Sequence, residues 1–254
     1  MLTTENMSSP SQTDAAFLAS YDPTAFERPS VAVDVALLTA FDGALHALLI
    51  RRPAPPEHDK HALPGGFVGI EEALDAAARR ALRDKAGLDR VFIEQLYTFG
   101  APRRDPRTRV ITVAYVGLIN AARFTAALDA KPGGEVARLD VPWEGETGGA
   151  VRAKSAVGKR LRLAFDHADI LGMAVKRLRG KLNYTAVGFQ LLPPAFTLRA
   201  LQEVHETILG HDLNKDSFRR RMLASGALEA TGEREEDVGH RPAELYRFVR
   251  QSAV

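Results

Sequence analysis

Aliphatic residues crowd two runs near the start of the chain, 31–39 (VAVDVALLT) and 45–51 (LHALLIR), on either side of FDGA. Runs of this length around a Gly-containing turn predict a β-hairpin. The Pro-rich stretch 52–61 predicts a loop. After LPGGFV the period changes. Leu74, Ala77, Ala78, Ala81 and Leu82 fall at i, i+3, i+4, i+7 and i+8, the single apolar stripe of a helix running from about Glu71 to Ala86. Glu71 and Glu72 suit its positive N-terminal end, and Lys85 and Gly87 its C-terminal end. Residues 92–99 and 109–119 predict strands around the loop GAPRRDPRT. Residues 128–160 are loop-rich with one strand near 136–141, and 163–182 predicts a helix.

From Phe196 onward the pattern is different. Thr197 is placed to cap a helix LRALQEVHETIL that Gly210 ends, and Asn214 to cap a second helix KDSFRRRMLA that Gly226 ends. ALEATGE and AELYRFV then predict two short strands around EREEDVGHRP. Helix, turn, helix and β-ribbon in that order is the pattern of a winged helix. The chain therefore divides into a polar, unstructured N-terminal arm (1–28), a ligand-sensing domain (29–162), a connecting helix and hinge (163–190) and a winged-helix domain (191–254).

Composition changes this picture little, but its distribution matters. At 254 residues, 45% hydrophobic and 26% charged, the chain is long enough for two compact domains. It has no cysteine, which excludes disulfides, a thiol nucleophile and Cys-based zinc sites and suits a reducing cytoplasm. The seven histidines form no pair at helical metal-ligand spacing. No apolar run approaches the ~20 residues that span a bilayer, and MLTTENMSSPSQTD has neither the basic start nor the apolar core of a signal peptide. Residues 152–181 hold nine Lys/Arg against two acids, whereas residues 190–254 hold nine against ten. The positive charge thus gathers in the middle of the chain, a footprint suited to a polyanion.

The segment GGFVGIEEALDAAARRALRDKAGL resembles a Nudix box in its framework: Gly66, Glu72, Arg80, Leu82, Gly87 and Leu88 fit the spacing. The three remaining acidic positions of that box are Ala81, Asp84 and Lys85. In Nudix hydrolases the carboxylates there bind Mg²⁺, a hard ion that wants oxygen ligands. Alanine offers none and Lys85 adds a cation, so no catalytic residue, metal or cofactor is expected, and Glu72 and Arg80 are expected to pair structurally. A fold for pyrophosphates that cannot hydrolyse can still bind them. Arg51, Arg52, Arg103, Arg104, Arg107 and Arg109, with Asp105 among them, offer guanidinium groups suited to phosphates, and Phe67 and Phe99 could stack on a base. The ligand-binding set expected is Arg51, Arg52, Phe67, Phe99, Arg103, Asp105 and Arg107.

LAFDHADIL, LLPPAFTLRALQEVHETILG, FRRRML and HRPAELYRF, with the upstream TFGAPRRDPRTRVITVAYVGL, together resemble the Nudix-related transcriptional regulators of NAD metabolism, the NrtR type. The resemblance covers roughly residues 30–250. It implies an α+β chain, a Nudix α/β/α sandwich followed by a winged helix-turn-helix. It also implies a homodimeric cytoplasmic repressor of NAD biosynthesis or salvage genes, whose Nudix domain senses ADP-ribose or a related nucleotide. The partner would be double-stranded DNA carrying a palindromic operator, with no membrane involved. In a helix-turn-helix the second helix enters the major groove, which nominates Lys215, Ser217, Arg219 and Arg220, and the wing adds Arg234, His240 and Arg241. The acids Glu233, Glu235, Glu236 and Asp237 set this wing apart from a basic one. Arg177 and Lys181, at i and i+4, are expected to add phosphate contacts, as are Lys176 and Arg179; the opposing reading packs this basic face on the acidic first domain. A Nudix pyrophosphohydrolase acting on ADP-ribose-like substrates is the alternative function, and a protein-docking adaptor a third.

Overall fold

The computed structural model describes residues 10–130, 133–182, 185–236, 239 and 241–249. After α1 (Pro10–Ser20), strands β1 (Ser30–Phe41) and β2 (Ala44–Arg51) form the expected hairpin, with Leu38 opposite Ala47. Its turn is Asp42–Gly43, with φ of 48° and 63°. Two-residue hairpin turns of this kind need φ > 0 at both central residues, which is why Asp-Gly serves. Short strands β3 (His61–Ala62) and β4 (Gly65–Phe67) lead to α2 (Leu74–Ala86), then β5 (Phe92–Phe99), β6 (Val110–Leu118), α3 (Ala121–Ala130), β7 (Gly134–Asp140), β8 (Arg152–Lys154) and β9 (Arg160–Leu161). These strands form one mixed sheet ordered β5-β6-β1-β2-β7-β8-β9, with β3 on β2 and β4 on β1; only β1 and β6 run parallel.

Because β1 is central and covered on both sides, its sequence is a continuous apolar run rather than an alternation. Val33, Val35 and Leu37 pack against Ala77, Ala78 and Leu82 of α2 and Phe124 of α3. Ala36, Leu38 and Ala40 face the other way, with Ile170, Leu171, Val175 and Leu178 of α4 (His167–Lys181). The same cluster continues through Leu201, Val204 and Ile208 of α5 (Leu198–Leu209) to Phe218 of α6 (Lys215–Ala224) and Tyr246. The final ribbon pairs β10 (Leu228–Arg234) with β11 (Glu244–Phe248). A 3₁₀ turn, Ala186–Leu191, joins α4 to α5.

Several expectations change. Residues 163–190 are not a bare connector: α4 supplies the helical layer on the second face of the sheet, and its Ile170, Leu171 and Val175 are fully buried. Gly172 lets this helix approach the backbone of Gly149, since a Cβ there would overlap the Gly149 carbonyl. The arm read as unstructured holds α1, where the Ala-rich DAAFLA stretch favours helix and Phe17 packs beside Tyr21, ring centroids 5.6 Å apart. α3, β8 and β9 lie in or beside the stretch read as loop; β8 and β9 have three and two residues, too few for a period to show. Among the described residues no helix is long and apolar enough to cross a membrane.

Candidate ligand pocket and nucleic-acid interface

Where β1, β3, β4 and the loop 100–109 meet the start of α4, they enclose a cavity of about 210 Å³. Its rim carries two arginine–aromatic pairs. The Arg107 guanidinium lies over the Phe67 ring at 5.1 Å, and that of Arg52 over Phe165 at 4.9 Å. Arg107 also donates to both Asp105 oxygens, 3.0 and 2.7 Å, which holds the Asp105 carboxyl below its usual range. Asp105 is buried and accepts the Arg107 backbone N–H as well, so the loop is pinned from within.

The pocket wall is a buried polar network. Arg104 makes a bidentate pair with Asp166, 2.8 and 2.6 Å, just before α4, and reaches Asp34 at 3.5 Å. Asp34 also accepts from the Thr112 hydroxyl at 2.8 Å. The Leu63 N–H donates to His167 Nδ1 at 2.9 Å, which leaves Nε2 to carry the proton, 3.5 Å from Asp34. Burial lowers the His167 pKa, so the ring is neutral.

Of the expected ligand set, Arg52, Phe67, Asp105 and Arg107 line this cavity, and Arg51, Phe99 and Arg103 do not. Arg51 pairs with Asp59 at 2.9 Å on the surface, Arg103 is exposed, and Phe99 packs on the core. Asp34, Phe165 and His167 line it but were not singled out from sequence. Phe165 sits at φ 50°, unusual for an aromatic residue, a signal visible only in the folded backbone. A larger open cleft of about 780 Å³ lies between the β1–β2 turn, α3 and α5, but its one arginine, Arg199, is paired with Glu203 at 2.7 Å.

The box helix α2 begins beside this cavity. Arg80 grips both Glu72 oxygens at 2.7 Å and the Phe67 carbonyl at 2.9 Å, and the Gly69 N–H donates to Glu72 at 3.1 Å. The Arg80 hydrogen bonds, chiefly, hold the Glu72 carboxyl down at about 2. Ala81 is buried, and Asp84 and Lys85 are exposed. Among the described residues no three His, Asp or Glu side chains converge as a metal would require.

The second candidate surface is α6. Asn214 caps it by accepting from the Ser217 N–H at 3.0 Å, as Thr197 caps α5 by accepting from Ala200 at 3.0 Å. Phe218 anchors it, buried with its ring edge-on to His205 at 5.0 Å. Glu206 accepts from Gln202 at 2.7 Å and from the Leu213 N–H at 2.9 Å, fixing the turn between the helices. Lys215, Ser217, Arg219 and Arg220 are all exposed, and among the described residues the three cations form no ion pair. In the ribbon, Phe196 and Tyr246 exchange backbone hydrogen bonds of 2.9 and 2.8 Å. Arg234 is exposed and donates to the Pro242 carbonyl at 3.4 Å, and Arg241 is exposed. His240 and Asp237 lie outside the described residues.

The cations of α4 have partners within the chain. Arg177 donates to Glu94 at 3.4 Å and to the Leu96 carbonyl at 2.8 Å, and Lys181 to the same Glu94 carboxylate at 2.5 Å. Both cations are paired with β5, as the opposing reading of this basic face has it. Arg179 is buried and donates to the carbonyls of Ile208 (2.8 Å), Trp143 (3.1 Å) and Gly145 (3.0 Å), closing the C-terminal end of α5.

Comparison with known proteins bears directly on these two surfaces. Residues 28–146 match the NUDIX domain and residues 188–248 the NrtR DNA-binding winged helix domain. The chain is 40% identical to the "ADPR responsive transcriptional repressor NtrR" of Acinetobacter baylyi over 94% of this chain and 89% of the relative. It resembles the crystal structure of Shewanella oneidensis NrtR complexed with a 27mer DNA, with a TM-score of 0.70, 32% identity and coverage of 86% of this chain and 93% of that one. An "ADP-ribose pyrophosphatase" of Methanocaldococcus jannaschii is 34% identical over 84 residues, 33% of this chain and 50% of the relative. With a Nudix sheet, a winged helix and a relative of this identity along nearly its whole length, the chain belongs to the NrtR family of Nudix-related transcriptional regulators.

Proposed function

We propose that this chain is a homodimeric, cytoplasmic repressor of NAD biosynthesis or salvage genes that binds a palindromic operator through its winged helix and ADP-ribose or a related nucleotide through its Nudix domain. The observation that carries the reading is α6: three exposed cations with no ion pair among the described residues, on a capped helix whose apolar side is anchored by Phe218. The N-terminal residues of such a helix lie nearest the bases, and arginine suits guanine edges and phosphates. Lys215, Ser217, Arg219 and Arg220 are the contacts assigned, with Arg234, His240 and Arg241 on the wing. A two-fold protein then needs two half-sites about one helical turn, ~34–36 Å, or a multiple apart. The relatives' names point the same way, one responsive to ADPR and one complexed with DNA.

The Nudix domain binds without hydrolysing. The Mg²⁺ that this fold uses elsewhere does not fit these residues: Glu72 is held by Arg80, Ala81 has no oxygen to offer, and Lys85 brings a positive charge to the same helix surface. Arg52 and Arg107 are placed to hold the phosphates and Phe67 and Phe165 to meet the flat part of the ligand. An incoming pyrophosphate competes with Asp166 for Arg104, which loosens the start of α4. That helix runs to Arg179 at the end of α5, so the pocket and the reader share one element. A ligand shifts such an equilibrium only by its difference in affinity for the two arrangements.

A gel shift with DNA from the protein's own upstream region, repeated with ADP-ribose and followed by assay for AMP, tests the reading. Sequence-specific binding weakened by ADP-ribose that is recovered intact is expected. Release of AMP with Mg²⁺ in the enzyme range, about 1–1000 per second, would favour the pyrophosphohydrolase alternative.

A further inference from the structure

The outer strands of the sheet carry a charge arrangement that neither surface above uses. In β7, β8 and β9, Ala137, Leu139, Ala153 and Leu161 are buried, so the intervening residues share the opposite, outward face. The register sets Arg138 opposite Lys154, Lys154 opposite Arg160, and Arg152 opposite the acid Asp140. Continued by one residue, it brings Arg162 against Arg152. Like charges directly opposite one another across strands destabilise a sheet. Asp140 pairs with Lys154 at 3.1 Å, and Arg138, Arg152, Arg160 and Arg162 are exposed, with no ion pair among the described residues. A fold that gathers arginines this way, with glutamates elsewhere on its surface, leaves the neutralising charge to come from a bound anion.

Three of these arginines line the same groove. Arg152, Arg160 and Arg162 line one groove of about 360 Å³, as do the half-buried Leu163 and Lys60, the latter paired with Glu57. That volume lies in the usual range of small-molecule sites, roughly 300–1,000 Å³. The groove is the neighbour of the ligand pocket, with β3 between them: the His61 N–H donates to the Arg162 carbonyl and the Ala164 N–H to the His61 carbonyl, both at 2.8 Å. Leu63, two residues on, lines the pocket and is bonded to His167.

We propose that this groove is a second binding site, for a small organic phosphate, separate from the Nudix pocket. The phosphate meets Arg152, Arg160 and Arg162, whose planar guanidinium groups suit two-pronged phosphate contacts. The carbon body of the ligand lies against the half-buried Leu163. The occupant is a small molecule rather than a DNA strand, because the groove adjoins the ligand pocket and α6 contributes nothing to its lining.

The test is isothermal titration of AMP into the full chain carrying Arg52→Gln and Arg107→Gln, which cripple the neighbouring pocket. Saturable binding is expected to survive there and to weaken at least tenfold when Arg152→Gln and Arg162→Gln are added; both positions are exposed, and circular dichroism checks that the quadruple variant is folded. No saturable AMP binding in the first variant, or equal affinity in both, would overturn the proposal. So would a result in which the added substitutions leave AMP binding intact but weaken binding to random duplex DNA, since that assigns the face to the DNA backbone. None of these outcomes depends on whether ADP-ribose is the effector.

Discussion

Helices α2 and α6 both carry arginines on a solvent-facing side, and they treat them in opposite ways. On α2, Arg80 is clasped by Glu72 and the Phe67 carbonyl, and Arg79 donates to the Val91 carbonyl at 3.3 Å. On α6, Arg219 and Arg220 form no ion pair among the described residues, and Arg221 leans back over the Phe218 ring at 5.6 Å. The difference teaches that a count of basic residues does not locate a binding surface. A cation with an internal partner holds the fold, and one without waits for an external anion. α4 makes the point sharply: it lies in the most basic stretch of the sequence, yet Arg177, Arg179 and Lys181 are all turned inward.

The largest effect that can break this contrast is at Arg179. Arg179→Ala removes three carbonyl contacts at once and leaves the end of α5 unsatisfied. Buried polar groups left without partners cost ~1–3 kcal/mol each in part because water cannot replace the bond, so a loss of about 3 kcal/mol is expected. For a chain of this size that is a fall of roughly 6–12 °C in Tm, readable by calorimetry. A change below about 0.5 kcal/mol would mark Arg179 as an ordinary surface residue.

Next come the α6 arginines. Arg220→Ala should weaken operator binding by about 1–3 kcal/mol if it reads a base, and so reduce the preference for operator over random DNA. Its Tm should stay within about 0.5 kcal/mol of wild type. Operator affinity unchanged in Arg219→Ala, Arg220→Ala and Arg241→Ala alike would remove α6 from the interface.

The reader domain also has a pH signature. Burial lowers the His205 pKa to about 4. The unfolded chain then takes up the proton before the folded one does, so stability is full above pH ~6.5 and falls as pH drops toward 4. At pH 5 the loss from His205 alone is about 2 kcal/mol. His205→Leu should flatten that part of the profile in thermal melts from pH 7 to 5, leaving the share due to His167, which has the same sign. An unaltered profile in the variant would mean that His205 ionises freely in the fold.

What was legible in the sequence was local. The Asp42–Gly43 hairpin, the Thr197 and Asn214 caps and the Glu72–Arg80 pair each depend on residues at most a few turns apart. The pocket was half legible: Arg107 and Phe67 came from a basic loop and a glycine-flanked aromatic, whereas Phe165 and His167 arrive from a segment that reads only as the approach to a helix. The fate of Arg177 and Lys181 was hidden because their partner Glu94 lies 83 and 87 residues away. Charge counted along a sequence records where cations are made and is silent on which of them the fold neutralises.

The salt dependence of DNA affinity measures that distinction directly. Each phosphate neutralised adds ~0.9 to the slope of log affinity against log salt. Fluorescence anisotropy with upstream DNA should therefore show the slope reduced in the Arg219→Ala/Arg220→Ala variant, by about 1 for each of the two that meets a phosphate rather than a base. In the Arg177→Ala/Lys181→Ala variant the slope should match wild type, with a loss of about 1 kcal/mol in stability instead. A lowered slope for the α4 pair together with a wild-type slope for the α6 pair would contradict the division between cations that hold the fold and cations that read DNA.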